Sequence, residues 1–436
     1  MKFYDRKEEL QLLQTIAKRS EKQAEFTLLT GRRRVGKTAL LMEAFRDVPH
    51  VYLFVGRKSE PLLCAEFQQA IAEALEIPVF GAAARFKELF EQLMVYAQKQ
   101  HLTLIIDEFQ DFERVNPAIF SDIQDVWDRY KDKARINFIV SGSIYSLLVR
   151  LFENEKEPLF GRLTSKIALQ PFSTATLKLI LHDNNPNYLP DDLLCLYLLS
   201  GGVAKYVSLL MDSQAVAKDA MLSSVCRMGS PFLTEGKELL VSEFGKDYST
   251  YFSVLQLIAS GKTTQSEVDS IIGKNTGAYL HNLDEEYSLL GKNQPLFAKP
   301  GSRSIRWRVK DCYLRFWFRF IYANQSLVET GRYDLLSELV EAHYEDFSGL
   351  TLEDYFRAKF QEEGRFTQVA SYWDRKGKNE IDLIALNSLD MTATIAEVKR
   401  NPKKISLRSL KEKSCVLSSE LADYALNFEA LSLDTL

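Results

Sequence analysis

The chain has 436 residues, of which 46% are hydrophobic and 26% charged, with a formal net charge of −4. That length exceeds what one hydrophobic core normally supports, so two or three domains are expected, and the charge balance excludes a molecule coated in basic surface. Five cysteines, far apart and without CxxC spacing, argue against a zinc site or disulfide framework; no apolar signal region or long uncharged apolar run is present, so a cytoplasmic protein without membrane contact is expected.

Up to about Pro171 short apolar runs alternate with helical patterns, which predicts an α/β fold with a parallel sheet flanked by helices. The expected strands are Phe26–Leu29, Val51–Val55, Leu102–Ile106, Ile136–Val140 and Ser165–Leu169, with helices at Leu62–Leu75, Arg85–Gln98 and Pro117–Lys131 between them. Directly after the first strand, Gly31-Arg32-Arg33-Arg34-Val35-Gly36-Lys37-Thr38 completes the phosphate-loop pattern, and a helical segment from Ala39 follows. The glycines let the backbone turn tightly, so that N–H groups and the helix N-terminus point at phosphate oxygens. Gly31, Arg34, Val35, Gly36, Lys37, Thr38 and Ala39 are therefore the expected nucleotide contacts. Lys37 supplies a point charge to the outer phosphates and the Thr38 hydroxyl is a ligand for magnesium.

The third strand ends in Asp107-Glu108. Asp107 is placed to hold magnesium beside Thr38 through a water molecule, and Glu108 to polarise the water that attacks the terminal phosphate. After the fourth strand, Ser143 is either a sensor between water and phosphate or the N-cap of the next helix. Arg162, in the loop before the fifth strand, is either a surface arginine or one that reaches the phosphates in cis or across a subunit boundary. No guanine-recognition pattern is present, which favours ATP, with Mg2+, as cofactor.

A polar Asn/Pro-rich segment from about His182 to Asp192 breaks the alternation, and a helical region runs on to about Met228. From about Glu243, helical periodicity recurs at Tyr251–Ser260, Thr264–Ile272 and Thr276–Leu290. Pro295–Phe297 and Ile305–Val309 then bracket a turn and read as a hairpin. This is the outline of a winged helix-turn-helix. Its exposed helix positions include Lys274, Asn275, His281 and Asn282, opposed by Asp284, Glu285 and Glu286; Lys299, Arg303, Arg306 and Arg308 in the hairpin are better phosphate contacts. A nucleic-acid reader and a rigid protein-interaction or lid module both fit. Tyr313, Phe316, Trp317 and Phe320 recur at helical spacing and read as core. The resulting division is an ATPase domain over 1–180, a helical lid over 181–242, the winged helix over 243–325 and a small α/β domain over 326–436.

In that last domain a helix (Leu352–Phe360) precedes strands at Glu380–Leu386 and Ile395–Lys399, followed by further helix. Residues i and i+2 of a strand share a face, so Glu397 and Lys399 project together and, with Asp382 on the neighbouring strand, two carboxylates and one ammonium converge. Carboxylate oxygens suit magnesium, and the lysine can position or deprotonate a water for phosphodiester attack. Arg375, Lys376, Lys378, Arg400, Lys403, Lys404, Arg408, Lys411 and Lys413 make this end locally basic.

These residues resemble known families. Phe3–Leu10, the Gly31–Thr38 loop, Leu104–Glu108, Ser141–Ser143 and Pro158–Arg162 resemble the archaeal and bacterial P-loop ATPases of the AAA+/STAND group, and the likeness continues into the C-terminal domain of unknown function that such ATPases carry. It implies an adenine-side position for Arg6. The Asp382…Glu397-x-Lys399 pattern resembles the core of the PD-(D/E)xK nuclease superfamily, a restriction-endonuclease-like fold. Ile381 stands where the name has proline, and Glu353 matches an extra acidic metal ligand of some members. The resemblance implies an ATP-hydrolysing protein that acts on, or is regulated by, nucleic acid, with Asp382, Glu397 and Lys399 cutting DNA. The alternative is a regulatory ATPase switch whose C-terminal parts bind DNA or protein without cleavage. Expected partners are ATP and DNA, with a protein or a second copy of the chain left open.

Overall fold

The computed structural model describes the chain apart from residues 78–82, 144, 245–247, 300, 303 and 375–378, and apart from the side chains of 145, 146 and 242. Arg303, Arg375, Lys376 and Lys378, expected to face nucleic acid, lie outside the described residues. The chain folds as two compact units, one formed by Asp5–Pro171 and the other by Phe172–Leu436 together with Met1–Tyr4.

In the first unit five strands, β1 (Glu25–Gly31), β2 (Val51–Phe54), β3 (Leu102–Asp107), β4 (Ile136–Ser141) and β5 (Ser165–Leu169), form a sheet in the order β2-β3-β4-β1-β5. Every pairing is parallel. The reason is visible in β3 and β4, whose residues are all buried: continuous Leu/Ile/Val runs need cover on both faces, which helical crossovers supply. Leu28, Leu104, Ile106, Phe138 and Val140 pack into one core, whereas Leu29, Ile105 and Ile139 pack into the other. The helices Glu60–Leu75, Phe86–Lys99 and Ala118–Tyr130 lie within a residue or two of their expected bounds. Strand order reverses direction around β4 and β1, and in open sheets of this type ligands gather outside the carboxyl ends of the strands at such a point.

The second unit begins with the helices Thr174–Asn184, Pro190–Ser200, Ala204–Asp212 and Lys218–Cys226. Residues 1–4 belong to it: the Met1 ammonium meets Asp212 at 2.7 Å and the Tyr4 hydroxyl donates to Asp183 at 3.1 Å. Three helices, Tyr248–Ala259, Gln265–Ile272 and Gly277–Glu285, lead to an antiparallel ribbon of β6 (Leu290–Asn293) and β7 (Arg306–Val309). The first ribbon strand thus differs from expectation. The helix stops at Glu285, Ser288 turns left-handed, and Leu290 opens the strand. Pro295–Phe297 instead lies in the loop, where Leu296 is buried and its N–H donates to the Ser371 carbonyl at 2.9 Å. Tyr313, Phe316, Trp317 and Phe320 are core residues as expected.

The helix expected at Leu352–Phe360 is the end of a longer one, Tyr333–Glu362. Its buried stripe runs Leu336, Val340, Tyr344, Ser348, Leu352, Phe356, and Gly349 interrupts the sequence pattern without breaking the helix. The final sheet also has more strands than the two expected: β8 (Gln368–Trp373), β9 (Glu380–Asn387), β10 (Thr392–Val398) and β11 (Ala425–Leu431), in the order β11-β10-β9-β8. β8 and β11 are edge strands with few fully buried positions, so neither carries the apolar run that marks a strand in sequence. β8/β9 and β9/β10 are antiparallel and β10/β11 is parallel. No helix among the described residues is long and apolar enough to cross a membrane.

Candidate active site

The phosphate loop joins β1 to the helix Lys37–Ala44. A Cβ on Gly31 would lie 2.6 Å from the Leu169 carbonyl oxygen, so no other residue fits there without moving β5. Arg34 (φ 68°) and Gly36 (φ 104°) both have left-handed backbone, the kind of conformation that lets loop amides face an anion. Val35 is buried in the core behind it, and Thr38 and Ala39 are exposed at the helix start. Lys37 reaches back across the loop, donating to the Gly31 carbonyl at 2.9 Å and the Arg32 carbonyl at 3.2 Å.

Asp107 meets this loop from the end of β3. Its Oδ2 accepts from the Thr38 hydroxyl at 2.8 Å and from the Tyr52 hydroxyl at 2.8 Å, and its Oδ1 accepts from the Glu108 amide at 3.0 Å. A hydroxyl and a carboxylate side by side at a loop built for anions are a donor set that suits a hard divalent cation such as magnesium. Tyr52 was not singled out by sequence; it sits on β2 opposite Ile105, two residues before the Phe54–Asp107 pair at the strand end. Burial first, and the Asp107 carboxylate second, push its phenol well above the ordinary range.

Glu108 has left-handed backbone (φ 53°), an uncommon state for a non-glycine residue that aims its side chain away from the line of the strand. Its carboxylate accepts from the Ser143 hydroxyl at 2.9 Å and from the Gln110 amide. Ser143 therefore bonds a candidate catalytic carboxylate. Gln110 is a second residue that sequence reading passed over. A Cβ on Gly142 would fall 2.0 Å from Gln110 Oε1, so the Ser141-Gly142-Ser143 turn and Gln110 are fitted to each other.

Two further expected positions have protein partners. Arg162 donates from Nε and Nη2 to Asp128 at 3.2 and 2.8 Å, and so is committed to the helix Ala118–Tyr130 rather than to the phosphate loop. Arg6 is buried and bonds Glu9 at 3.2 Å on its own helix.

In the second unit, β9 and β10 pair so that Leu383 lies opposite Ala396, which brings Asp382 to the end of β10. Asp382 Oδ2 accepts from the Val398 amide at 2.9 Å and from Lys399 Nζ at 2.8 Å. Burial would lower the Lys399 pKa, but the bond to Asp382 outweighs it and the net shift is upward. This favours the ammonium form, in which the lysine can position a water. Glu397 is buried and accepts from the Ser406 amide at 3.3 Å and from Lys413 at 3.5 Å. Each carboxylate thus has its own lysine. Among the described residues no three His, Cys, Asp or Glu side chains come together in a way that could hold a metal ion, so Glu353, Asp382 and Glu397 do not form the expected metal set. Asp382 and Glu397 are each turned to a lysine instead.

Glu353 is pushed up to about 7, by burial first and by the neighbouring Asp382 second. Its folded pKa lies above the unfolded value near 4.3, so the folded state binds the extra proton between those values and stability falls as pH rises through that window. Glu353→Gln is expected to flatten this slope, worth up to about 3 kcal/mol between pH 4.5 and 7. Urea unfolding at several pH values measures it; an unchanged slope would exclude Glu353 as its source.

The hairpin arginines expected to grip phosphate are turned inward. Arg306 pairs with Glu380 at 2.7 Å, and Arg308 pairs with Asp354 at 2.5 Å. Asp354 also takes Arg315 at 2.5 Å and Arg357 at 3.0 Å. Arg400 is likewise structural, meeting both oxygens of Asp191 at 2.9 and 3.0 Å. Asn282 donates to the Tyr251 hydroxyl at 3.1 Å, and Lys274 donates to Thr250 at 3.2 Å.

A parallel sheet with a glycine-rich loop after β1 and an acidic end on β3 defines a P-loop nucleoside triphosphatase fold. Residues 3–210 match the family described as an ATPase domain predominantly from Archaea, and residues 317–412 match a family of archaeal and bacterial proteins of unknown function. The chain therefore carries an ATPase domain of the archaeal type followed by that C-terminal domain. An uncharacterized protein of Methanocaldococcus jannaschii is 28% identical over 438 residues, covering 97% of this chain and 93% of its own. The Walker-type ATPase of Pyrococcus abyssi has the same fold, with a TM-score of 0.55 at 18% identity over 73% of this chain and 96% of that one. The ORC2 protein of Aeropyrum pernix, solved as ADPNP–ADP complexes, aligns with a TM-score of 0.46 at 15% identity over 78% of this chain and 96% of that one.

Proposed function

We propose that the protein is a magnesium-dependent ATP hydrolase acting as a switch, with a C-terminal portion that engages nucleic acid. The observation that carries the first half is the 2.8 Å bond between Thr38 and Asp107 beneath the phosphate loop. Thr38 and Asp107 would hold magnesium, whose charge offsets that of the phosphate oxygens. The loop amides and the start of the helix Lys37–Ala44 bind the triphosphate, with Lys37 exchanging loop carbonyls for phosphate oxygen. Glu108 orients the attacking water and takes its proton, while Ser143 and Gln110 hold the carboxylate at one angle. In this reading residues 181–242 form a lid, 243–325 a winged helix, and 326–436 a nuclease-like domain.

A second reading, phosphodiester cleavage by Asp382, Glu397 and Lys399, is favoured by the 2.8 Å contact between Lys399 and Asp382 at the ends of adjoining strands. It requires both carboxylates to leave their lysines, which the switch reading does not. One preparation tests both. Phosphate release from ATP is expected to need magnesium, to stop with EDTA and to vanish in Lys37→Ala, with supercoiled DNA left intact in magnesium or manganese. Nicking lost in Asp382→Ala would establish the second reading, and absence of ATP turnover in the folded protein would remove the first.

A further inference from the structure

The second compact unit holds a cavity of about 450 Å³ between β7, the helix Tyr248–Ala259, the helix Tyr333–Glu362 and β8. Five arginines line it: Arg306, Arg308, Arg315, Arg319 and Arg357. Among the described residues two ion-paired carboxylates answer them. Asp354, behind the wall, is shared by Arg308, Arg315 and Arg357, and Glu380 is taken by Arg306. Arg306 is further fixed by lying 4.5 Å over the Trp373 ring. Glu353 also faces the cavity.

Five guanidinium groups against the carboxylates of Asp354, Glu380 and Glu353 leave an excess of two positive charges around one small cavity, with Arg319 at its exposed rim. Burying charge without a partner is costly, and burial already lowers the Arg308 pKa. Structure of this kind is stabilised by an anion. Guanidinium forks match phosphate oxygens in pairs, and Arg308, Arg315 and Arg357 are already held rigid by a shared carboxylate, so little side-chain freedom remains to be lost on binding. The remaining walls include Ile258, Val309, Phe347 and Leu350, which are apolar. A volume in the roughly 300–1,000 Å³ range of small-molecule sites admits more than a bare phosphate.

We propose that this cavity binds the phosphate of a nucleotide, with the apolar walls taking the nucleoside. The same chemistry is offered by a free mononucleotide and by the phosphorylated end of a strand. The site goes beyond the ATP reading, because it lies in the other compact unit and uses none of the phosphate-loop residues.

Calorimetry on the full chain carrying Lys37→Ala keeps the phosphate loop from contributing heat. The titrants are inorganic phosphate, adenosine, adenosine 5′-monophosphate, and one single-stranded dodecamer with a 5′-phosphate or a 5′-hydroxyl. The expected result is binding at least about tenfold tighter with the phosphate than without it, reduced about 10–100-fold by Arg308→Gln. That variant leaves Asp354 with two guanidinium partners and removes one excess charge, so its unfolding midpoint without ligand should not drop. Arg319→Glu, at an exposed position, should weaken binding in a folded protein as well. Tight binding of the monophosphate identifies a free nucleotide as the source, and binding of the phosphorylated dodecamer alone identifies a strand end. Equal affinities with and without phosphate, binding of inorganic phosphate alone, or indifference to both substitutions would overturn the proposal. Loss of ATP turnover in the wild-type background bears only on the phosphate loop, so the two readings fail separately.

Discussion

Glu108→Gln is expected to lower the turnover of ATP by about 10²–10⁴-fold while leaving the affinity for ATP close to that of the wild type. The glutamine keeps the size of the side chain and still accepts from the Ser143 hydroxyl, so the backbone turn at φ 53° and the Gly142–Gln110 fit are undisturbed. What is lost is the capacity to take a proton from water. Thr38, Lys37 and Asp107, which serve binding in this scheme, are untouched. Steady-state phosphate release gives the first quantity and calorimetry with ATP and magnesium the second. A turnover within about threefold of wild type would remove Glu108 as the base and shift attention to a water held by other groups. A parallel loss of affinity would mean that Glu108 shapes the loop rather than the chemistry.

Asp354→Asn should cost about 3–5 kcal/mol of stability, the range seen when one partner of a buried ion pair is removed. Asp354 is the shared acceptor of three arginines from two separate segments, β7 and its following helix on one side and the long Tyr333–Glu362 helix on the other. An amide in its place leaves the buried Arg315 and the half-buried Arg308 and Arg357 without their shared anion. Burial alone would raise the Asp354 pKa, but Arg308, Arg315 and Arg357 outweigh it and hold the carboxyl below the usual range. The sign follows: its contribution is complete above the unfolded value near 3.9 and is lost as pH falls through the lower folded value. Wild-type stability should therefore decline steeply in acid, and the variant should show a shallower decline from a lower starting point. Urea titrations at pH 7 and pH 3 measure both. A loss below about 1 kcal/mol at pH 7 would show that the cluster is solvated well enough to dispense with its anion.

The ATPase part of the molecule was legible because its determinants are local. A phosphate loop is a run of eight residues, and β1, β3 and β4 are apolar runs that cannot be anything but buried strands once turns flank them. Asp107 and Thr38, far apart in sequence, could be joined on paper because the strand–loop–helix context fixes where a third strand must end. Tyr52 and Gln110 were not legible. Their roles come from strand register and from the left-handed turn at Glu108, neither of which leaves a mark in composition. In the second unit the β9/β10 pairing was readable from alternation, but β8 and β11 were not, because edge strands bury too little to show a period. For the hairpin arginines the sequence hid the partners: Glu380 and Asp354 are distant in sequence and become neighbours of Arg306 and Arg308 only through the tertiary fold, which sets both arginines around a cavity.

The assignment of residues 1–4 to the second unit gives the polypeptide two covalent crossings, at Tyr4–Asp5 and at Pro171–Phe172. The two crossings are unequal. Residues 1–4 are held to their unit by non-covalent contacts such as those of Met1 with Asp212 and Tyr4 with Asp183. A nick at Tyr4–Asp5 therefore leaves residues 5–436 one continuous chain, whereas a nick at Pro171–Phe172 leaves no covalent link between residues 5–171 and 172–436.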